Sequence, residues 1–196
     1  MDISVVVPLY NEEESLPELY AWIERVMKAH GFSYEVIFVN DGSTDRSWQI
    51  IEELSRESDA VHGIKFRRNY GKSPALYCGF EKAQGDVVIT MDADLQDPPS
   101  LLPSMLHAIL EEGYDSVATR RVNRKGEPPV RSFFARMFYK LIRKMSDTDI
   151  VDGARDFRLM NRPFVDALLE LNEYNRFSKG IFGWIGFRTY WLPYEH

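Results

Sequence analysis

Two carboxylates and an amide lie close together in residues 92–96 (DADLQ), directly after a short apolar run. Asp92 and Asp94 are separated by a single residue, so in a bent loop one carboxylate can hold a divalent cation while the other orients sugar or ribose hydroxyls. Gln96 can add a neutral oxygen ligand. A lone D-x-D pattern is more often a solvated acidic turn, and it is the position after a predicted strand that favours a metal and ligand site.

Polar segments also follow other predicted strands. Residues 8–13 (PLYNEE) come after the first strand, residues 40–45 (NDGSTD) after the second, and Arg120 and Arg121 after the fifth. Ligands of open α/β sheets bind beyond the carboxyl ends of the strands. Carboxylates and guanidinium groups at that rim fit a phosphorylated ligand that a hard divalent cation bridges to the protein. Taken alone, residues 40–45 would indicate only a turn, because Asp-Gly is a turn former and Ser43 or Thr44 is a good helix N-cap.

Short Val/Ile-rich runs alternate with segments of helical period, which predicts an α/β domain with a mostly parallel sheet flanked by helices. The strand candidates before residue 120 are 3–7, 35–39, 61–66, 86–91 and 116–119. Helical stripes lie between them at 16–27, 48–54, 73–83 and 102–109. The later third predicts helices at 132–145 and 163–171, the second capped by Asn161, and a strand near 189–192. We expect these later elements to cover one edge of the sheet.

The size and composition of the chain indicate an ordinary globular protein. With 196 residues and 44% hydrophobic content, it is predicted to form one domain over 1–196. The single cysteine, Cys78, excludes an internal disulfide, and the scattered histidines do not suggest a zinc site. A reducing, cytosolic setting is the default expectation. The sequence lacks a basic leader and has no run of apolar residues long enough to span a bilayer.

Charge is distributed unevenly along the chain. The net charge of −6 argues against nucleic-acid binding, yet residues 120–145 hold nine Lys/Arg and one Glu. Such a segment suggests a basic surface that meets an anion or an anionic membrane. The helix predicted at 132–145 combines an apolar stripe with basic residues, so it fits either a membrane-interface helix or a core-packed helix with a solvated basic face.

Two other phosphate chemistries do not fit the sequence. Gly71-Lys72-Ser73 looks like the end of a phosphate loop, but that motif needs glycine where Phe66 stands. An Asp-x-Asp phosphatase would have its nucleophilic aspartate after the first strand, where this chain has Pro8 and Tyr10.

Seven blocks of the sequence, taken in order, resemble glycosyltransferase family 2, and within it the dolichyl-phosphate mannose synthase and bactoprenol glucosyltransferase group. The blocks are 7–12 (VPLYNE), 40–45 (NDGSTD), 68–72 (RNYGK), 85–86 (GD), 91–99 (MDADLQDPP), 153–159 (GARDFRL) and 176–180 (RFSKG). The resemblance implies a GT-A fold and inversion at the anomeric carbon. In that fold residues 1–119 would form the nucleotide-sugar half and residues 120–196 the acceptor half.

The resemblance also implies roles for individual residues. Around the nucleotide sugar it places Pro8, Tyr10, Glu12, Asp41, Lys72 and Asp92. Around Mg²⁺ or Mn²⁺ it places Asp92, Asp94 and Gln96, with Asp94 and Asp156 as the catalytic pair. Asn40 departs from the aspartate that is commoner at its position.

The acceptor side is less determined by the residues. Asp156 stands where the family has an acceptor-side acidic residue, so it can act as a base, orient the metal, or simply pair with Arg155 or Arg158. A polyprenyl phosphate is largely dianionic at neutral pH and needs no strong base. For such an acceptor the predicted phosphate clamps are Arg120, Arg131, Arg176 and Lys179, since guanidinium matches phosphate in bidentate geometry.

The leading prediction is therefore an inverting, metal-dependent transfer of a hexose from a nucleotide diphosphate sugar, with UDP-glucose favoured, to a polyprenyl phosphate. We expect this at the cytoplasmic face of the inner membrane, on an anionic membrane surface, with a homo-oligomer left open. One alternative is a soluble transferase that acts on a sugar hydroxyl in surface polysaccharide synthesis, and another is a non-catalytic nucleotide-sugar binding module. The family usually continues with hydrophobic helices past residue 196, so a truncated form or a divergent soluble member is expected.

Overall fold

The computed structural model describes residues 1–97, 99–121, 154–171, 182 and 185–194. The helix predicted at 132–145 and the predicted phosphate clamps Arg131, Arg176 and Lys179 lie outside these residues. The described strands are β1 (Ile3–Leu9), β2 (Tyr34–Asn40), β3 (Val61–Lys65), β4 (Val87–Thr90), β5 (Ser116–Arg121), β6 (Ala154–Asn161) and β7 (Thr189–Tyr194). The described helices are α1 (Leu16–His30), α2 (Ser47–Glu57), α3 (Lys72–Lys82), α4 (Leu102–Leu110) and α5 (Arg162–Glu170), with a 3-10 turn at Pro99–Leu101 before α4.

The strands form one sheet in the order β3-β2-β1-β4-β6-β5-β7. β1 pairs in parallel with β2 and with β4, β2 pairs in parallel with β3, and β5 pairs in parallel with β7. β6 is antiparallel to both of its neighbours, β4 and β5. The sheet is thus mostly parallel, as predicted, with one reversed strand inside it.

The expectation that the later elements cover one edge of the sheet holds for β7 but not for α5, which packs on one face of the sheet. β6 was not predicted from the sequence, and it lies inside the sheet, where it separates β4 from β5. Its eight residues (ARDFRLMN) include three charged side chains, so they lack the apolar run that marks a buried strand. β7 does lie at the edge, and the predicted cap of α5 is confirmed because Asn161 Oδ1 accepts a hydrogen bond from the Phe164 N–H at 3.0 Å.

Helices pack on both faces of the sheet. All seven residues of β1 are buried, and because side chains alternate along a strand, Val5 and Val7 pack on one face while Val6 packs on the other. The first face is covered by α1, α2 and α4 and the second by α3 and α5. In the described part of the chain, no helix has both the length and the apolar character needed to cross a bilayer.

α3 packs very closely on β1. Gly79 lies against Val6, and a methyl group at Gly79 would overlap the Val6 side chain. This close approach sets the height of α3 above the sheet. It thereby sets the position of Lys72, the first residue of the helix.

We expect Gly79→Ala to lower the free energy of unfolding by about 1–3 kcal/mol. Alanine favours a helix by roughly 1 kcal/mol over glycine, but overpacking a buried contact costs more than that gain. Urea denaturation measures the change. Glu81→Ala, at an exposed position of the same helix, serves as the control and should stay within about 0.5 kcal/mol of the parent. A Gly79→Ala protein that is more stable than the parent would contradict the close packing of α3.

Candidate active site

A pocket of about 300 Å³ opens at the carboxyl edge of the parallel strands. It brings together most of the residues that the sequence predicted for the donor site. Its lining residues are Pro8, Leu9, Tyr10, Glu12, Asp41, Asn69, Gly71, Lys72, Ala75, Asp92, Ala93 and Asp94. The pocket is therefore lined by several carboxylates, one ammonium and the exposed ring of Tyr10.

The loops after β1 and β2 hold each other through hydrogen bonds that cross between them. The Asn11 N–H donates to Ser43 Oγ at 2.9 Å, and Asn11 Oδ1 accepts from the Thr44 N–H at 2.8 Å. The Glu12 N–H donates to Ser47 Oγ at 2.9 Å. These hydrogen bonds fix the backbone of the first loop. They therefore also fix the positions of Tyr10 and Glu12, which line the pocket.

Asp41 shapes the pocket wall through the backbone. It is only 4% exposed, and its two carboxylate oxygens accept hydrogen bonds from the Tyr70 N–H at 2.7 Å and the Gly71 N–H at 2.8 Å. Asp41 thus anchors the loop that leads into α3. The adjacent Gly42 has a φ of 73° and lies against the backbone of Arg68, so no side chain fits at that position.

Asn40, which departs from the family pattern, is fully buried under this wall. Its Oδ1 accepts a hydrogen bond from the Ser43 N–H at 2.8 Å. Its buried Nδ2 has no partner among the described residues. Asn40 does not line the pocket, so its contribution is to the turn rather than to a ligand contact.

Lys72 brings together two carboxylates that are far apart in the sequence. Its Nζ donates to Asp92 Oδ1 and, at 2.6 Å, to Asp156 Oδ2. The strand register explains the meeting, because Thr90 pairs with Arg158 in the antiparallel ladder. In an antiparallel pairing, two residues after Thr90 lie opposite two residues before Arg158, so Asp92 comes opposite Asp156.

The charge of Lys72 is stabilised by these neighbours. Burial alone would lower the pKa of the ammonium, but the charges of Asp156 and Asp92 outweigh burial and raise the pKa. Lys72 is therefore a cation at neutral pH. The two carboxylates are 32% and 21% exposed, so the group is only partly screened by solvent.

The residues after β4 fit a divalent cation. Asp92 and Asp94 both line the pocket, and carboxylate oxygens are the ligands that Mg²⁺ and Mn²⁺ prefer. Within the described residues, no group of three His, Cys, Asp or Glu side chains is arranged around one point, so phosphate oxygens would have to complete the ligand set. Gln96 is exposed and does not line the pocket, and its N–H donates to Asp94 Oδ1 at 3.1 Å.

Asp97 supports the same loop and was not among the predicted site residues. It is 3% exposed, and its Oδ2 accepts a hydrogen bond from the Asp92 N–H at 3.1 Å. Burial raises the pKa of Asp97 from 3.8 to about 6, and the charges of Asp92 and Asp94 add to the rise. The signal for this role was a third carboxylate five residues after Asp92.

Two arginines differ from the expectation. Arg120 was predicted to follow β5, but the strand continues to Arg121, and the exposed Arg120 side chain does not line the pocket. Arg158 was left as a pairing partner of Asp156. It is instead 3% exposed, donates to Ser116 Oγ at 3.0 Å, and stacks over the rings of Phe182 and Trp191. Burial lowers the pKa of Arg158 to about 10.

Comparison with known proteins identifies relatives over the whole chain. Residues 4–169 match the family model described as glycosyl transferase family 2. CsbB of Bacillus subtilis (strain 168) is 45% identical over 194 residues, which make up 99% of this chain and 58% of that protein. The bactoprenol glucosyl transferase of Shigella phage SfV is 39% identical over 189 residues, 96% of this chain and 61% of that protein. The chain thus spans about three fifths of the length of these curated relatives.

A solved structure shares the fold. The glucosyl-3-phosphoglycerate synthase from Mycobacterium tuberculosis, in complex with Mn²⁺, UDP and phosphoglyceric acid, matches with a TM-score of 0.62 at 21% identity. The match covers 99% of this chain and 69% of that one. It confirms the predicted GT-A fold.

The raised pKa of Asp97 predicts a pH-dependent stability. The folded state binds the Asp97 proton more tightly than the unfolded chain, so stability is lost as the pH rises from about 4 to about 6. Asp97→Asn keeps an acceptor for the Asp92 N–H without a charge. In the presence of a metal chelator, this variant should be more stable than the parent by about 1–3 kcal/mol above pH 6 and should lose that advantage below pH 4.

Thermal and urea denaturation at pH 4 and pH 7.5 test this prediction. Asp86→Asn removes an exposed carboxylate and should leave stability within about 0.5 kcal/mol at both pH values. An Asp97→Asn variant that is less stable than the parent at pH 7.5 would show that the Asp97 charge is needed for folding.

Proposed function

Because the chain belongs to glycosyl transferase family 2, we propose that it is an inverting, metal-dependent glycosyltransferase that moves a hexose from a nucleotide diphosphate sugar to a polyprenyl phosphate. The observation that carries the proposal is the pocket at the carboxyl edge, where Tyr10, Glu12, Asp92 and Asp94 converge. The favoured donor is UDP-glucose. The Shigella phage relative is named a bactoprenol glucosyl transferase, which supports a polyprenyl phosphate acceptor. The Mycobacterium structure holds UDP and Mn²⁺, which supports a UDP-sugar donor and a divalent metal.

On the donor side, Asp92 and Asp94 would hold the divalent ion. A bound Mg²⁺ or Mn²⁺ supplies charge neutralisation to the diphosphate and stabilises the leaving nucleotide. The exposed Tyr10 ring and the tied loop at Glu12 would bind the nucleotide from the opposite wall. Asp41 would keep the pocket open by holding the Tyr70 and Gly71 backbone.

On the acceptor side, the environment of Asp156 favours a phosphate over a hydroxyl. One oxygen of Asp156 accepts from Lys72, and the other is buried without a hydrogen-bond partner in the described part of the chain. A carboxylate already paired with an ammonium is poorly placed to take a proton from a sugar hydroxyl. A phosphate dianion needs no such base, and it can attack the anomeric carbon in a single in-line displacement.

The membrane setting remains part of this proposal. A polyprenyl phosphate is a membrane lipid and nucleotide sugars are cytosolic, so the reaction would occur at the cytoplasmic face of the inner membrane. The basic segment 120–145 would bind the anionic lipid surface. The predicted contribution of Arg120, Arg131, Arg176 and Lys179 to phosphate binding stays a prediction.

Incubation of the full-length enzyme with Mn²⁺, a panel of nucleotide sugars and short polyprenyl phosphates should yield a glycolipid, most of it from UDP-glucose. Thin-layer chromatography and mass spectrometry detect the product. Removal of the metal by a chelator should abolish the transfer. If no donor gives a glycolipid while UDP binds in a metal-dependent manner, the chain would instead be a nucleotide-sugar binding module.

Asp156→Asn distinguishes the two acceptor chemistries. With a polyprenyl phosphate acceptor, kcat should fall by no more than about tenfold, because no proton has to be removed in the transition state. Asp94→Asn, which removes a proposed metal ligand, should lose on the order of a hundredfold or more in the same assay. Near abolition of transfer by Asp156→Asn would favour a hydroxyl acceptor and a catalytic base.

A further inference from the structure

Lys72 is the only cation that lines the pocket within the described part of the chain. Its ammonium lies between Asp92 and Asp156, and its side chain is 37% exposed. Asp94, Glu12 and Asp41 also line the pocket. One positive charge thus stands among several negative ones, in the place where a metal-bound diphosphate would lie.

The two carboxylates that hold Lys72 depend on it to different degrees. Asp92 lines the pocket, where another cation can reach its carboxylate. Asp156 does not line the pocket, and its second oxygen is buried with no partner among the described residues. Asp156 is also less exposed than Asp92, at 21% against 32%, and a metal in the pocket would not replace the ammonium beside it. We therefore expect Asp156 to retain Lys72 more firmly than Asp92 does.

A divalent ion and an ammonium cannot both bind Asp92 without mutual repulsion. Two cations that share one carboxylate lie only a few ångströms apart, and their charges repel strongly at a partly buried site. Metal binding therefore opposes the Lys72–Asp92 contact. It leaves the Lys72–Asp156 contact as the one that survives.

We propose that Lys72 is a resident counter-cation of the donor site, which neutralises Asp92 in the metal-free enzyme, competes with the divalent ion for that carboxylate, and stays paired with Asp156 when the metal is bound. This inference rests on the proposed function for the role of the metal. This role is distinct from simple attraction of the donor phosphates, because metal binding at Asp92 would leave Asp156 as the carboxylate that holds Lys72.

The test is the affinity for Mn²⁺ alone, measured on the full-length enzyme by electron paramagnetic resonance. Lys72→Met removes the competing charge at nearly constant length, and Mn²⁺ should bind roughly fivefold to tenfold more tightly than in the parent. Lys72→Arg restores the charge and should bring the affinity back toward the parent value. Lys82→Met makes the same charge change at an exposed position of α3 and should leave the affinity unchanged.

A second measurement uses the parent enzyme, so it does not depend on a variant that folds. Acetylation of lysines by acetic anhydride, read by mass spectrometry, should label Lys72 slowly in the metal-free protein and faster when Mg²⁺ is present. Labelling of Lys82 should not respond to Mg²⁺. Parent-like or weaker Mn²⁺ binding by Lys72→Met, or Lys72 labelling that is indifferent to Mg²⁺, would overturn the inference.

The inference and the proposed function fail in different ways. If Lys72→Met binds Mn²⁺ more tightly but the parent enzyme transfers no sugar, the counter-cation role of Lys72 would stand and the proposed transferase function would be rejected. Glycolipid synthesis by the parent enzyme, together with an unchanged Mn²⁺ affinity in Lys72→Met, would support the transferase and reject the counter-cation role.

Discussion

The meeting of one ammonium with two carboxylates at the end of the sheet is the interaction on which this site depends. Asp92 follows a parallel strand, Asp156 belongs to the reversed strand beside it, and Lys72 begins the helix that packs above them. Each of the three charges is partly removed from solvent, and each is stabilised by an opposite charge beside it. Their mutual neutralisation permits the chain to concentrate acidic groups where a metal and a diphosphate can bind.

The reversed strand β6 is the structural device that makes this meeting possible. In a purely parallel sheet every strand would bring only its carboxyl end to the ligand edge. Because β6 runs the other way, its beginning reaches that edge, and Asp156 arrives from a segment about sixty residues later in the sequence than Asp92. Under the proposed function, a donor site and an acceptor site would therefore share one sheet.

Most of the fold could be predicted from local patterns, but the reversed strand could not. The buried parallel strands are apolar runs, as in β1, and their amphipathic helices follow from the period of the apolar residues. β6 carries Arg158 at a buried position, and that arginine is accommodated by Phe182 and Trp191, which lie far along the chain. No local pattern encodes such a tertiary environment.

The candidate site likewise contains residues whose place could be predicted from the sequence and residues whose role could not. The motifs led to Asp92, Asp94 and Tyr10, which do line one pocket. The sequence did not reveal that Asp41 would use both oxygens on the Tyr70 and Gly71 backbone, since a carboxylate in a motif looks the same whether it binds a ligand or a loop. The supporting role of Asp97 was hidden for a similar reason, because its burial arises only when the loop folds back.

The cross-bonded loops after β1 and β2 have a consequence for anyone who wishes to exchange loops between relatives. Each loop uses side chains of the other to satisfy its backbone, as with the Asn11 N–H on Ser43 Oγ and the Glu12 N–H on Ser47 Oγ. A loop transplanted from a relative by itself would arrive without its complementary acceptors. The two loops form a single exchangeable unit, and a chimera would need to carry both loops across together.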